Sequence, residues 1–116
     1  MSNSASPSSS AASSDGALRL RGAQRRHLRG LAHHLEPLVQ LGKEGPSEAL
    51  RRQLDRTLND HELVKLRFLD FKRDKKTICE DLAADLEAAF IGSIGHVAIF
   101  YRPARDPDDR QIVLPG

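Results

Sequence analysis

The sequence lacks the features that usually place a protein in a membrane or outside the cell. One cysteine among 116 residues excludes an internal disulfide and is typical of a reducing compartment. The longest uninterrupted apolar run, residues 97–101, is much shorter than the about 20 residues that a membrane-spanning helix needs. The first residues lack the basic and apolar regions of a signal peptide. We therefore expect a cytoplasmic protein without membrane contact.

Residues that hold metals or carry out catalysis are also sparse. A structural zinc site needs about four converging ligands, but the chain has no His-x-x-x-His pair and only one cysteine. It has no Walker-type Lys-Ser/Thr after its glycines, no nucleophile elbow and no paired carboxylates in apolar surroundings. We therefore expect that the protein is not an enzyme and that it binds no metal, cofactor or small-molecule substrate. The scattered histidines are His27, His33, His34, His61 and His96.

Positive charge is concentrated in the first half of the chain. Residues 17–76 carry 15 Lys and Arg against 8 Asp and Glu, a net charge of +7, whereas residues 77–116 carry 3 against 7, a net charge of −4. A basic half of this kind indicates a polyanionic partner, although a solvated surface gives the same pattern.

Apolar spacing predicts an α/β domain with the element order α-β-α-β-α-β-β. Short strands that alternate with helices imply right-handed crossovers, so we expect a small two-layer domain with a mixed four-stranded sheet and a final hairpin. Helices are predicted over residues 22–35, 46–59 and 74–89, and strands over residues 38–41, 63–69, 90–94 and 97–101.

The two ends of the chain differ from this middle part. Residues 1–16 contain eight serines and no large apolar residue after Met1, so they are predicted to be a disordered tail. Residues 105–116 are rich in proline and acidic residues and are predicted to be a C-terminal tail. The folded domain is therefore expected over residues 17–104.

A Gly-x-x-Gly motif at residues 42–45, here called the glycine loop, is the most informative pattern. It follows a short apolar strand and precedes a helix. A helix N-terminus presents unpaired N–H groups to an anion, and glycines let a ligand approach the backbone closely. Lys43 adds a cation. The natural ligand of such a loop is a phosphate.

Six segments of the sequence form one ordered set, at residues 20–29, 31–35, 39–45, 59–65, 94–96 and 101–103. In this order they resemble the CRM domain (chloroplast RNA splicing and ribosome maturation) in its single-domain bacterial YhbY-type form. The resemblance implies a fold similar to the C-terminal domain of translation initiation factor three. It also implies RNA binding through the glycine loop and association with the precursor of the large ribosomal subunit.

RNA, as large-subunit rRNA or a pre-ribosomal particle, is therefore the expected partner of a monomer. Because aromatic residues are few, recognition is expected through backbone shape and charge rather than a base-stacking sheet. The alternative is a protein-interaction adaptor on the assembling ribosome with little RNA affinity of its own. The predicted RNA contacts are Gly42, Lys43, Glu44 and Gly45 in the loop, Arg25, Arg26, Arg29 and His33 on the first helix, Arg52 on the second, and Lys65 and Arg67 on the second strand.

Overall fold

Three helices and four strands follow one another in the order α-β-α-β-α-β-β in the computed structural model, which describes residues 20–115. The predicted class and element order are confirmed, whereas the tail predicted for residues 1–16 lies outside the described residues. No helix within the described part of the chain is long and apolar enough to cross a membrane. The elements are α1 (Gly22–Ala32), β1 (Val39–Leu41), α2 (Glu48–Asp60), β2 (Leu63–Phe68), α3 (Lys75–Leu86), β3 (Ala89–Ile94) and β4 (Val97–Tyr101).

The four strands form one mixed sheet in the spatial order β1-β2-β4-β3. β1 and β2 are parallel, with α2 as the crossover between them. β4 is antiparallel to both β2 and β3, and the β3–β4 pair is the predicted hairpin. Because β1 and β2 are parallel neighbours, the loops that follow them leave from the same end of the sheet, here called its carboxyl end.

Helices cover both faces of this sheet. One core joins α2 and α3 to the face that carries Val64, Leu66 and Phe68. A second core joins Leu28 and Ala32 of α1 to the opposite face, since successive side chains of a strand point to opposite faces. The predicted two layers are therefore corrected to three, with α1 as the additional layer. The apolar run over residues 97–101 was the signal for this arrangement, because strands covered on both faces do not alternate with polar residues.

The start of α2 and the ends of α3 and α1 show why the helices begin and stop where they do. Ser47 is the N-cap of α2, and its hydroxyl accepts the Leu50 N–H at 3.2 Å. α3 ends at Leu86, three residues before its predicted end, because Glu87 adopts the left-handed conformation with φ 54°. α1 likewise ends earlier than predicted, where Leu35 N–H turns back to the Ala32 carbonyl.

The segment after β4 returns along the α1 side of the domain. Ile112 and Leu114 pack against the second core together with Leu20. The Glu62 carboxylate accepts the N–H groups of Ala104 at 2.7 Å, Gln111 at 2.8 Å and Ile112 at 2.9 Å. This one side chain therefore ties the C-terminal segment to the start of β2.

Candidate nucleic-acid interface

The glycine loop begins directly after β1 and leads into α2. The Gly45 N–H donates to the Gly42 carbonyl at 3.0 Å, and the Ser47 N–H donates to the Gly45 carbonyl at 2.8 Å. These two bonds form consecutive tight turns. The first turn of α2 therefore begins close to the carboxyl end of the sheet. Lys43 and Glu44, at the tip between the glycines, are exposed.

The two glycines of the loop have different roles. Gly45 is buried and has φ +66°, a left-handed conformation that favours glycine, and a β-carbon there would lie 3.2 Å from Phe71 Cε2. A β-carbon on Gly42 would meet nothing within 4 Å. Gly45 is therefore required by the fold, whereas Gly42 leaves its surroundings open to a ligand.

Several backbone donors remain free around the loop. The N–H groups of Lys43, Glu44, Glu48 and Ala49 donate to no acceptor among residues 20–115. Lys43, Glu44 and Ala49 also line a cleft of about 320 Å³ between the loop and α2. Free N–H groups at a helix N-terminus, where the helix dipole is positive, favour an anion.

A second loop, which the sequence did not single out, lies beside the glycine loop. The segment 69–76, here called the basic segment, follows β2 and contains a short 3-10 helix, Lys72–Asp74. Its Leu69 N–H donates to the Leu41 carbonyl at 2.9 Å, and its Phe71 ring contacts Gly45. The cations of this segment are Lys72, Arg73, Lys75 and Lys76. Four cations within five residues were visible in the sequence, but their position beside the glycine loop depended on the parallel β1–β2 pairing.

The β3–β4 turn is the third loop at the carboxyl end of the sheet. The Phe68 N–H donates to the His96 carbonyl at 2.7 Å, and Lys75 Nζ donates to the Gly95 carbonyl. His96 and Ile94 are exposed there. The glycine loop, the basic segment and this turn thus form one continuous surface.

The predicted cations of α1 lie elsewhere. Arg25 Nη1 donates to the Phe90 carbonyl at 3.0 Å, and Arg29 Cδ would lie 3.8 Å from a β-carbon on Gly92. Both contacts are with β3, which forms the sheet edge opposite β1. Arg26 and His33 are exposed. The structure therefore groups Arg25 and Arg29 with β3 and not with the glycine loop, and the assignment of these four residues to RNA contact stays a prediction.

The remaining predicted contacts, on α2 and β2, have partners within the protein to different degrees. Lys65 Nζ donates to the Leu35 carbonyl at 2.9 Å, and this carbonyl belongs to the segment just after α1. Arg52 lies 3.6 Å from Glu48 in an exposed pair on α2, an arrangement that contributes only about 0.3–0.5 kcal/mol. Arg67 is exposed and forms no ion pair within residues 20–115.

Ion pairs neutralise cations on the α2–α3 side of the molecule instead. Arg51 pairs with Asp81 at 2.9 Å and Asp85 at 2.6 Å, and hydrogen bonds to these carboxylates raise the Arg51 pKa. Arg102 pairs with Asp55 at 2.8 Å. Within residues 20–115, no ion pair includes Lys43 or a cation of the basic segment. Cations without an ion pair therefore lie at the carboxyl end of the sheet, together with the carboxylates of Glu44, Asp70 and Asp74. The described residues also contain no group of three or more His, Cys, Asp or Glu that could hold a metal.

Comparisons with known proteins find related sequences over most of the chain. The family model described as the CRS1 / YhbY (CRM) domain matches residues 20–102. The chain is 37% identical over 93 residues to a Haemophilus influenzae protein named "RNA-binding protein", a match that covers 79% of this chain and 91% of that one. It is 33% identical over 97 residues to the Bacillus subtilis protein named "Probable RNA-binding protein YqeI", which covers 83% of this chain and 99% of that one.

A solved structure also has this fold. The solution structure of the hypothetical protein SAV1595 from Staphylococcus aureus aligns with a TM-score of 0.70 at 35% sequence identity. The alignment covers 84% of this chain and 100% of that chain. The fold of this chain is thus found together with a related sequence.

Proposed function

Since the chain belongs to the CRS1/YhbY (CRM) domain family, as its sequence segments predicted, we propose that it binds structured RNA, namely rRNA of the precursor large ribosomal subunit, in the cytoplasm. One observation supports this most directly. Free N–H groups of the glycine loop and of α2 open into a cleft beside cations that form no ion pair within residues 20–115. Two relatives named as RNA-binding proteins support the same function.

The recognised group is a backbone phosphate. Its oxygens accept hydrogen bonds from the N–H groups of Lys43, Glu44 and Ala49, and the dipole of α2 favours its charge. The Lys43 ammonium and the cations of the basic segment attract neighbouring phosphates. Contacts of this kind position RNA by shape and charge, and they carry little base sequence information.

Salt dependence of binding to a large-subunit rRNA fragment tests the function. If about six phosphates are contacted, affinity falls about 10³-fold between 50 and 200 mM salt. Weak binding to naked RNA at every salt concentration would contradict the proposal and favour the protein-adaptor alternative.

The substitution Gly42→Asp tests the position of the site. It adds a negative charge at the loop, while its β-carbon meets nothing within 4 Å, so the fold is expected to persist. Gly30→Asp is the matched control, because a β-carbon there also meets nothing, on α1 between Arg26 and His33. We expect Gly42→Asp to weaken binding at least about tenfold, the effect of losing roughly one good phosphate site. A loss with Gly30→Asp alone would place the RNA on α1 instead.

A further inference from the structure

Phe71 is the one exposed Phe or Tyr side chain of this protein, which has no Trp. All five Phe and Tyr residues lie within the described part of the chain, and the other four contribute to the two cores. Phe71 is 37% exposed and belongs to the basic segment. Phe71 belongs to neither core, and its ring packs against Gly45 instead.

The backbone of Phe71 is held in an uncommon conformation. Its φ is 56°, in the left-handed region that bulky residues rarely adopt. The Asp70 carboxylate accepts the Phe71 N–H at 2.8 Å, and one edge of the ring packs against Gly45. The ring is therefore held in a fixed position before any ligand arrives.

The neighbours of Phe71 are those that a nucleotide needs. Lys72, Arg73 and Lys76 follow it, are exposed, and form no ion pair within residues 20–115. On its other side lie Gly45 and the free N–H groups of the glycine loop. An aromatic ring, adjacent cations and a phosphate-binding loop thus share one surface.

We propose that Phe71 is a stacking site for an unpaired nucleobase of the bound RNA. The phosphates that flank this base lie on the basic segment, and the next phosphate lies on the glycine loop. This inference rests on the proposed function and narrows it, because it selects structured RNA with an unpaired nucleotide, such as a bulge or a loop, over an uninterrupted duplex. Every base has a π-face, so stacking here tolerates different base identities.

Two RNA hairpins test the proposal. They share a stem, and one carries a single bulged 2-aminopurine, whose fluorescence falls when it stacks. The wild type is expected to bind the bulged hairpin about tenfold or more tightly than the paired one, as stacking on one aromatic ring typically gives, and to quench the bulged base.

Substitutions at residue 71 separate stacking from support of the loop. Phe71→Asn removes the ring and suits the left-handed backbone, so we expect it to lose the preference and the quenching while still binding the paired hairpin. Phe71→Trp is expected to keep both. Val113→Asn, a substitution of an exposed apolar residue in the C-terminal segment, is expected to keep the preference.

Other outcomes overturn the proposal in distinguishable ways. If Phe71→Asn retains the preference and the quenching, the base does not stack on this ring. If folded Phe71→Asn weakens binding to both hairpins equally, the ring only supports Gly45. If the wild type binds neither hairpin at low salt, the proposed RNA-binding function itself fails.

Discussion

The Phe71 ring packs against Gly45 so closely that a β-carbon on this glycine would lie 3.2 Å from Phe71 Cε2. Both residues have positive φ, and each lies in a loop that follows one of the two parallel strands. The contact joins the two loops into one unit. A change at either residue is therefore expected to affect the shape of the whole carboxyl end of the sheet.

Substituting the two glycines of the loop by alanine should have very different consequences for stability. Gly45→Ala forces a side chain into a left-handed backbone and against Phe71, and we expect it to lower the free energy of unfolding by about 1–3 kcal/mol. Gly42→Ala meets open space and should change it by less than about 0.5 kcal/mol. Chemical denaturation of both variants measures the difference.

A double-mutant cycle tests whether the Phe71 contact contributes to this cost. In the Phe71→Ala background, Gly45→Ala loses the close contact but keeps the backbone strain, so its cost should decrease. An unchanged cost would show that the backbone conformation alone disfavours the alanine.

The order of elements was predictable from sequence because each one has a clear local pattern. The Val64, Leu66 and Phe68 alternation and the Ser47 cap depend only on near neighbours. The placement of α1 on the opposite face was not predictable in this way. Both faces of β4 are apolar, so the sequence does not indicate which face each helix covers.

Glu62 should make the attachment of the C-terminal segment sensitive to acid. Burial raises the Glu62 pKa, but the N–H groups of Ala104, Ile112 and Gln111 outweigh this effect, so the pKa lies below its usual value of 4.5. A carboxyl group with a lowered pKa stabilises the fold above its unfolded-state pKa, and this contribution disappears as the pH falls through the folded-state pKa. The loss is therefore expected below about pH 4.5.

The substitution Glu62→Gln measures this contribution. It leaves one acceptor oxygen for three donors, and we expect it to lower the free energy of unfolding at neutral pH by about 1–3 kcal/mol. The difference from wild type should shrink as the pH falls below about 4.5 and the Glu62 carboxylate becomes protonated. Glu80→Gln, an exposed change on α3, serves as the control. A difference that stays constant across this pH range would contradict the attachment described here.

Cys79 should be inert in the folded protein. Its side chain is fully buried, and burial raises the pKa of the thiol to about 12, so almost no reactive thiolate forms at neutral pH. We expect thiol-specific reagents to label one group per chain in denaturant and none in the native protein. Rapid labelling under native conditions would show that α3 opens easily.

The candidate site was only partly visible in the sequence. The glycine loop was visible because strand, glycines and cap are contiguous, but the basic segment joins it through Leu69 and Phe71, which are distant in sequence from Gly45. Cations such as Arg25 and Lys65 looked equivalent to Arg67 in the sequence, yet they donate to backbone carbonyls. The charge of a side chain alone does not show whether it is hydrogen-bonded to the protein backbone or free to contact RNA.

Lys65 and Arg67, neighbours on one face of β2, provide a matched test of this distinction. Lys65→Met removes the hydrogen bond to the Leu35 carbonyl, so we expect the free energy of unfolding to fall by about 0.5–1.5 kcal/mol, with a small effect on RNA affinity.

Arg67→Met removes an exposed cation with no ion pair in the described part of the chain. The free energy of unfolding should change by less than about 0.5 kcal/mol. If Arg67 contacts one RNA phosphate, the slope of log affinity against log salt should become shallower by about one unit. Denaturation and salt titration of both variants measure the two effects. Equal loss of affinity in both variants, without loss of stability in Lys65→Met, would show that Lys65 binds RNA rather than the chain after α1.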